Sequence, residues 1–177
     1  MDLEQVFAKF ERQSHLDMKL NFKKFFLNSG LSPKEAGLVA LCSAETAHCP
    51  PLVQFTAAHL RENDTSDDEI SEAKDMAAVM GVANCYYRFR HYVEKDAYRK
   101  PAGFRMSLMA KPQIGKLNLE MCALAASIIN GCESCVQGHE KSVLEHGGTE
   151  EKVHDIARLS STIKGLSQVF RQFRKDT

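Results

Sequence analysis

Leu117-Asn118-Leu119-Glu120-Met121-Cys122-Ala123-Leu124-Ala125-Ala126-Ser127-Ile128-Ile129-Asn130-Gly131-Cys132-Glu133-Ser134-Cys135-Val136-Gln137-Gly138-His139 sets both the fold class and the chemistry of this chain. Leu117, Met121, Leu124 and Ile128 recur every three to four residues, the stripe of a core helix, and Asn130-Gly131 ends it because glycine enters the left-handed conformation that closes helices. A second helix, from Cys135 to His146 and stopped by Gly147-Gly148, follows almost at once. Two thiols and an imidazole thus fall within two helical turns. Cysteines two residues apart can close a small disulfide or clamp a metal, and His139, four residues past Cys135, lies on the same helix face.

Outward from this segment the helical period persists. Ser32 before Pro33 starts a helix that runs to about Thr46, since serine caps and proline is tolerated at the first helical position. Leu52 to Leu60, opened by Pro50-Pro51, reads as another. Asn63-Asp64-Thr65-Ser66 precedes acidic residues that favour the positive end of a third, with Ile70, Ala73, Ala77 and Met80 as its buried stripe. Past Gly81 the aromatics Tyr86, Tyr87, Phe89 and Tyr92 keep helical spacing. Lys100-Pro101-Ala102-Gly103 and Lys111-Pro112-Gln113-Ile114-Gly115 bound an irregular central connection. Thr149-Glu150-Glu151 caps the last long helix, whose apolar face is Val153, Ile156, Leu159 and Ile163. No alternating strand pattern occurs, so the expected class is all-α.

Composition narrows the function. The 177 residues suit one domain with a real core, or two small helical units packed as one. Lys plus Arg and Asp plus Glu are each 23, so no long-range basic field points to nucleic acid or to an anionic membrane. The start Met1-Asp2-Leu3-Glu4-Gln5 is acidic rather than a basic region followed by an apolar run, and no apolar run reaches membrane-spanning length; a soluble, cytoplasmic protein is expected. Six cysteines without a signal peptide read as a local redox or metal pair plus buried structural thiols.

The chain also resembles itself. A shift of 83 residues sets Cys49-Pro50-Pro51-Leu52-Val53-Gln54 against Cys132-Glu133-Ser134-Cys135-Val136-Gln137. One more residue of shift sets Gly81-Val82, Tyr86, Phe89 and Arg90 against Gly165-Leu166, Phe170, Phe173 and Arg174. These matches suggest two related halves, about 1–99 and 113–177, of one domain over 1–177, in which only the second keeps paired cysteines; amphipathic spacing shared by any two helical halves is the alternative.

Cys132 sits just ahead of a helix and Cys135 in its first turn, where unpaired N–H groups and the helix dipole favour a thiolate. Such placement lowers a thiol pKa from about 8.5 to roughly 3.5–7.5. His139 can hydrogen-bond the Cys135 sulfur or exchange its proton. If the two helices form an antiparallel hairpin, Glu120 lies level with residues 139–143, within reach of His139, where a carboxylate orients the imidazole and passes a proton. Two other readings stand beside this one. The cysteines could be core thiols with His139 a satisfied polar residue, or they could hold zinc with Glu120 or His146 completing the set. Cys42, Cys85 and Cys122, among apolar or aromatic neighbours, are expected to be buried structural thiols, and Cys49 to mark a degenerate copy of the site. Tyr86-Tyr87-Arg88-Phe89-Arg90 reads as a packed helix with a solvated or intersubunit arginine face.

With Glu120, Cys132, Cys135 and His139 at these spacings, the chain resembles the alkyl hydroperoxide reductase D (AhpD) family, within the carboxymuconolactone decarboxylase-like superfamily. Asp17-Met18-Lys19-Leu20-Asn21, Met80-Gly81 through Tyr87-Arg88, and Gly103-Phe104-Arg105-Met106 extend the resemblance over nearly the whole chain. It implies an all-α fold of two related halves, assembled as an oligomer, commonly a trimer. It also implies a thiol peroxidase and disulfide reductase without metal, haem or flavin. The two cysteines would cycle between dithiol and disulfide, taking electrons from dihydrolipoyl groups on an acyltransferase and passing them to the peroxiredoxin AhpC. Carried onto this chain, Cys135 is the sulfenic-acid-forming nucleophile, Cys132 the proton donor and disulfide partner, and Glu120 with His139 the relay.

One departure stands out. Where the family has histidine or tyrosine immediately before the second cysteine, this chain has Ser134, whose hydroxyl can donate a hydrogen bond but cannot act as a base near neutral pH. In many C-x-x-C oxidoreductases the first, more exposed cysteine attacks; the spacing to His139 and the family pattern point instead to Cys135. Two other functions compete: an acid–base lactone decarboxylase, which has no need of paired thiols, and a non-catalytic zinc-stabilised helical adaptor.

Overall fold

The computed structural model describes residues 2–173, so Arg174, one of the repeat matches, lies outside the described residues. In chain order the α-helices are α1 (Leu3–Val6), α2 (Gln13–Leu27), α3 (Pro33–Thr46), α4 (Pro50–Glu62), α5 (Asp67–Val93), α6 (Lys116–Asn130), α7 (Glu133–Glu145) and α8 (Glu150–Arg171). Short 3-10 turns at Asp96–Tyr98 and Ser107–Met109 interrupt the connection between α5 and α6. Among the described residues there is no strand, and no helix is long and apolar enough to cross a membrane.

The helix starts follow the local chemistry. Ser32 and Glu35 form a capping box, with Glu35 N donating to the Ser32 hydroxyl at 3.3 Å and Ser32 N to Glu35 Oε2 at 2.8 Å. Ser66 and Glu69 repeat it at the start of α5, and Thr149 caps α8 by accepting from Lys152 N at 3.2 Å. Helices α1 and α2 have no counterpart among the sequence expectations. The start of α2 has no side-chain cap, since Arg12 occupies the cap position and cannot accept from the free N–H groups.

Helices α3 and α6 form the centre. Every residue from Ala36 to Ala44 and from Leu119 to Ser127 is buried, because each helix is covered on all sides. Helix α3 packs on α4, α5, α6 and α8; helix α6 packs on α3, α5, α7 and α8. One apolar cluster joins Phe7, Phe22, Phe26, Leu52, Leu124, Ile156 and Ile163. The other joins Leu38, Leu41, Leu60, Met76, Met80 and Leu119 between α3, α4, α5 and α6. A carboxylate on the covered stretch of α6 is therefore forced indoors, and Glu120 is that carboxylate.

Three expectations change. Met76 takes the fully buried place on α5 that the stripe gave to Ala77, which is only half-buried at the helix flank. Cys85 is exposed rather than buried, because the face of α5 that meets the core at this level carries Ala83 and Asn84. In the aromatic run the polarity is reversed: Tyr87, Phe89 and Tyr92 are exposed, while Arg88 turns inward and its guanidinium donates to the Asn130 carbonyl.

Candidate active site

The turn between α6 and α7 fixes the cysteines. Gly131 adopts φ 68°, a conformation that side chains disfavour, and Cys132 N donates back to the Ser127 carbonyl at 3.1 Å. Helix α7 begins at Glu133, two residues before the expected start, with Cys132 at its cap and Cys135 in its first turn. Helix α5 clamps this turn from the side. Asn84 donates to the Ser127 hydroxyl at 3.0 Å and accepts from the Asn130 amide at 3.0 Å, and Arg88 holds the Asn130 carbonyl. Buried amides with their partners met specify one geometry, so the turn is held in register with α5.

Cys132 and Cys135 are joined as a disulfide, their Cα atoms 5.3 Å apart. Their exposures differ in a way that bears on reactivity. Cys132 is fully buried, whereas Cys135 is 8% exposed and lines a cleft of about 510 Å³. The cleft is walled by Met80, Ala83 and Tyr87 of α5, by Met106 and Met109 of the central connection, and by Glu120 and His139. Of the two cysteines, Cys135 and not Cys132 is in its lining.

Glu120 is the electrostatic centre. Its Oε2 lies 2.7 Å from His139 Nδ1, and its Oε1 accepts from Lys116 Nζ at 2.6 Å. Burial pushes the Glu120 carboxyl up, but the hydrogen bonds from His139 and Lys116 outweigh it and hold the group at about 2. A carboxylate can only accept, so Nδ1 of His139 carries the proton and, in the neutral ring, Nε2 holds the lone pair. The geometry thus sets one tautomer of an imidazole that shares a cleft with Cys135. Lys116 is the site residue that sequence reasoning misses, although its spacing four residues before Glu120 on one helix carries the signal.

Ser134 is exposed, with its hydroxyl 3.8 Å from Cys132 Sγ, and it has no charge to add to the Glu120–His139 pair. His146, a zinc-ligand candidate from the sequence, has Nδ1 2.7 Å from its own helix's Ser142 carbonyl, away from any cluster. Among the described residues no set of three or more His, Cys, Asp or Glu side chains is grouped to hold a metal ion. The zinc-stabilised adaptor therefore lacks a ligand set among them. Cys42 and Cys122 meet in the core, where Cys42 Sγ donates to the Cys122 carbonyl at 3.5 Å; the Cys42 contact and burial push the Cys122 thiol up, which keeps it protonated and unreactive.

A profile of the carboxymuconolactone decarboxylase family matches residues 95–174, the part of the chain that contains α6, α7 and α8. The relatives are more specific. The chain is 38% identical to the alkyl hydroperoxide reductase AhpD of Anaeromyxobacter dehalogenans over 148 residues, covering 83% of this chain and 79% of that protein. It is 36% identical to AhpD of Gluconacetobacter diazotrophicus, covering 85% and 83%, and 34% identical to AhpD of Solibacter usitatus, covering 96% and 95%. The chain belongs to the AhpD family.

Proposed function

We propose that this protein is a thiol-dependent alkyl hydroperoxide reductase and disulfide reductase of antioxidant defence, working through a Cys132/Cys135 dithiol–disulfide cycle. The observation that carries the proposal is the Glu120–His139 pair at 2.7 Å in the same cleft as Cys135. In the reduced enzyme, His139 Nε2 takes the Cys135 proton and leaves a thiolate in the first turn of α7. The thiolate attacks the outer peroxide oxygen. The O–O bond breaks, Cys135 becomes a sulfenic acid, and the alkoxide leaves as alcohol with the proton returned by His139. The Cys132 thiol then displaces the sulfenic oxygen as water and closes the disulfide. A dihydrolipoyl group restores both thiols by exchange and departs as its own cyclic disulfide.

The exposure of Cys135 and the burial of Cys132 support Cys135 as attacker and Cys132 as resolving partner, the reverse of the order usual in C-x-x-C oxidoreductases. Ser134 stands as an auxiliary hydroxyl beside Cys132, and the relay runs through Glu120 and His139 alone. In this reading the protein acts in the cytoplasm with no bound cofactor. A lipoylated acyltransferase supplies electrons, the peroxiredoxin AhpC receives them, and the chain assembles as a homo-oligomer, a trimer in the family pattern, from two related halves.

Turnover of cumene hydroperoxide with dihydrolipoamide as sole reductant tests this directly. The wild type is expected to consume peroxide, and a Cys132→Ser/Cys135→Ser double variant to consume none. The name of the matching family profile keeps one rival in view, acid–base decarboxylation of a lactone. A double variant that decarboxylates carboxymuconolactone as fast as the wild type would replace the proposal with that rival.

A further inference from the structure

A second groove of about 500 Å³ adjoins the site cleft, and the two share Tyr87 and Ser134 in their walls. Their chemistry differs sharply. On the Cys135 side the wall is mainly apolar, with Met80, Met106 and Met109, whose unbranched thioethers adapt to a flexible chain. On the other side Arg90, Lys95 and Arg99 face a single carboxylate in the lining, Glu94. Arg99 lies 3.3 Å from Asp96, and His91, also in the lining, lies 3.5 Å from Glu133. Arg90 is differently held: its guanidinium stands 5.6 Å from the Tyr87 ring centre and 6.0 Å from that of Tyr86. A cation drawn to ring faces does not spend its N–H groups on them, which leaves the guanidinium fork able to donate.

We propose that the two grooves form one elongated substrate site for an apolar chain ending in a carboxylate. The carboxylate lies on Arg90, the chain on Met80, Met106 and Met109, and the seam at Tyr87 and Ser134 brings the ligand past the disulfide. The inference rests on the peroxidase reading for what happens at Cys135, but not for what binds. A fatty-acid hydroperoxide and free lipoate share this chemistry, one in the oxidative and one in the reductive half-reaction.

Binding is measured first, with dodecanoate and methyl dodecanoate on the disulfide form by titration calorimetry. The acid is expected to bind roughly fivefold more tightly than the ester, the upper range for a partly exposed ion pair. Arg90→Gln should abolish that preference and Arg90→Lys should retain most of it. Equal affinities in the wild type, or a preference that survives Arg90→Gln, overturn the proposal. The kinetic arms then identify the source. A kcat/KM preference for linoleic acid hydroperoxide over its methyl ester assigns the carboxylate to the peroxide, and a preference for dihydrolipoate over dihydrolipoamide assigns it to the reductant; preference in neither removes the substrate role. If dodecanoate binds as described while cumene hydroperoxide is not consumed, the peroxidase reading fails and the carboxylate site stands. Peroxide turnover without acid preference keeps the peroxidase reading and removes the carboxylate site.

Discussion

In the hairpin of α3 and α4, His48 takes the left-handed conformation at φ 54° and Cys49 begins the second helix; in the hairpin of α6 and α7, Gly131 and Cys132 hold the same two places. Two backbone hydrogen bonds repeat at equivalent places. Cys49 N donates to the Ala44 carbonyl at 2.9 Å, as Cys132 N does to Ser127, and Val53 N and Val136 N donate to the two cysteine carbonyls at 3.1 and 2.9 Å. Side chains make the difference. Three residues after the cysteine stands Leu52 in one hairpin and Cys135 in the other; twelve before it, Gly37 and Glu120; seven after it, Thr56 and His139.

The first hairpin fills the space that the second leaves to a cleft lined by Glu120, Cys135 and His139. A Cβ on Gly37 would come within 2.6 Å of Leu60 Cδ2, so no acidic side chain fits there, and the buried Thr56 hydroxyl is spent on the Leu52 carbonyl at 2.7 Å. The same turn thus carries packing side chains in one hairpin and titratable ones in the other, according to three positions around it. The proposed chemistry asks for a buried carboxylate and an imidazole level with the paired cysteines, and only the second hairpin has all of them.

The sharpest way to break this contrast is one cysteine at a time. Cys135→Ser is expected to reduce peroxide consumption to background, since the attacking sulfur is gone. Cys49→Ser, a near-isosteric change at the cap position of α4, where the cysteine side chain makes no capping hydrogen bond, is expected to stay within about twofold of the wild type. Comparable losses in the two variants, measured as initial rates, would erase the distinction between the hairpins.

Next in size is Glu120→Gln, which keeps the shape but removes the charge that fixes the His139 tautomer. A fall in kcat/KM of about 100-fold is expected, the lower range for an acid–base group. The pH at which Cys135 becomes reactive to iodoacetamide should rise as well. A variant with wild-type rate and wild-type thiol titration would show that Glu120 acts only in packing.

Stability against pH gives a smaller effect. The Glu120 carboxyl at about 2 in the fold lies below its ordinary 4.5, so the unfolded chain binds the extra proton first as pH falls. The contribution is fully present above about pH 4.5 and is lost as pH falls toward 2. Over that window the wild type should lose up to about 3 kcal/mol relative to Glu120→Gln, read as the difference in urea unfolding free energy. A constant difference across the window contradicts the pairing.

Smallest in its effect on turnover is Leu52→Cys, which gives the first hairpin a C-x-x-C of its own. The backbone match predicts that Cys49 and the introduced thiol form a disulfide under air oxidation, detected by loss of alkylation at Cys49. No added peroxide turnover is expected, because neither Gly37 nor Thr56 can move a proton. A gain in turnover above the wild type would mean that the turn alone suffices.

Much of this contrast is legible in the sequence, for reasons that are local. Ser32-Pro33 and Ser66 with Glu69 carry their own caps, and the period of α6 and its closing glycine are written in adjacent residues. The approach of Glu120 to His139 follows from helix rise once the two helices fold back as an antiparallel hairpin. What is not legible depends on tertiary packing. Helix α2 starts without a cap and mixes lysines with phenylalanines, so its apolar face emerges only when Phe22 and Phe26 meet Phe55. Cys85 reads as buried because its neighbours are aromatic, yet Tyr87 and Phe89 themselves face outward. The cleft walls at Met106 and Met109 come from a connection whose sequence has no period to read.

The central claim is tested most directly on the tryptic peptide of residues 117–141, which contains Cys122, Cys132 and Cys135. Mass spectrometry after one equivalent of peroxide, with alkylation under denaturing conditions, should show the peptide short of two hydrogen atoms and alkylated at Cys122 alone. Dihydrolipoamide should then restore alkylation at Cys132 and Cys135. A peptide alkylated at all three cysteines before and after peroxide would contradict the dithiol–disulfide cycle.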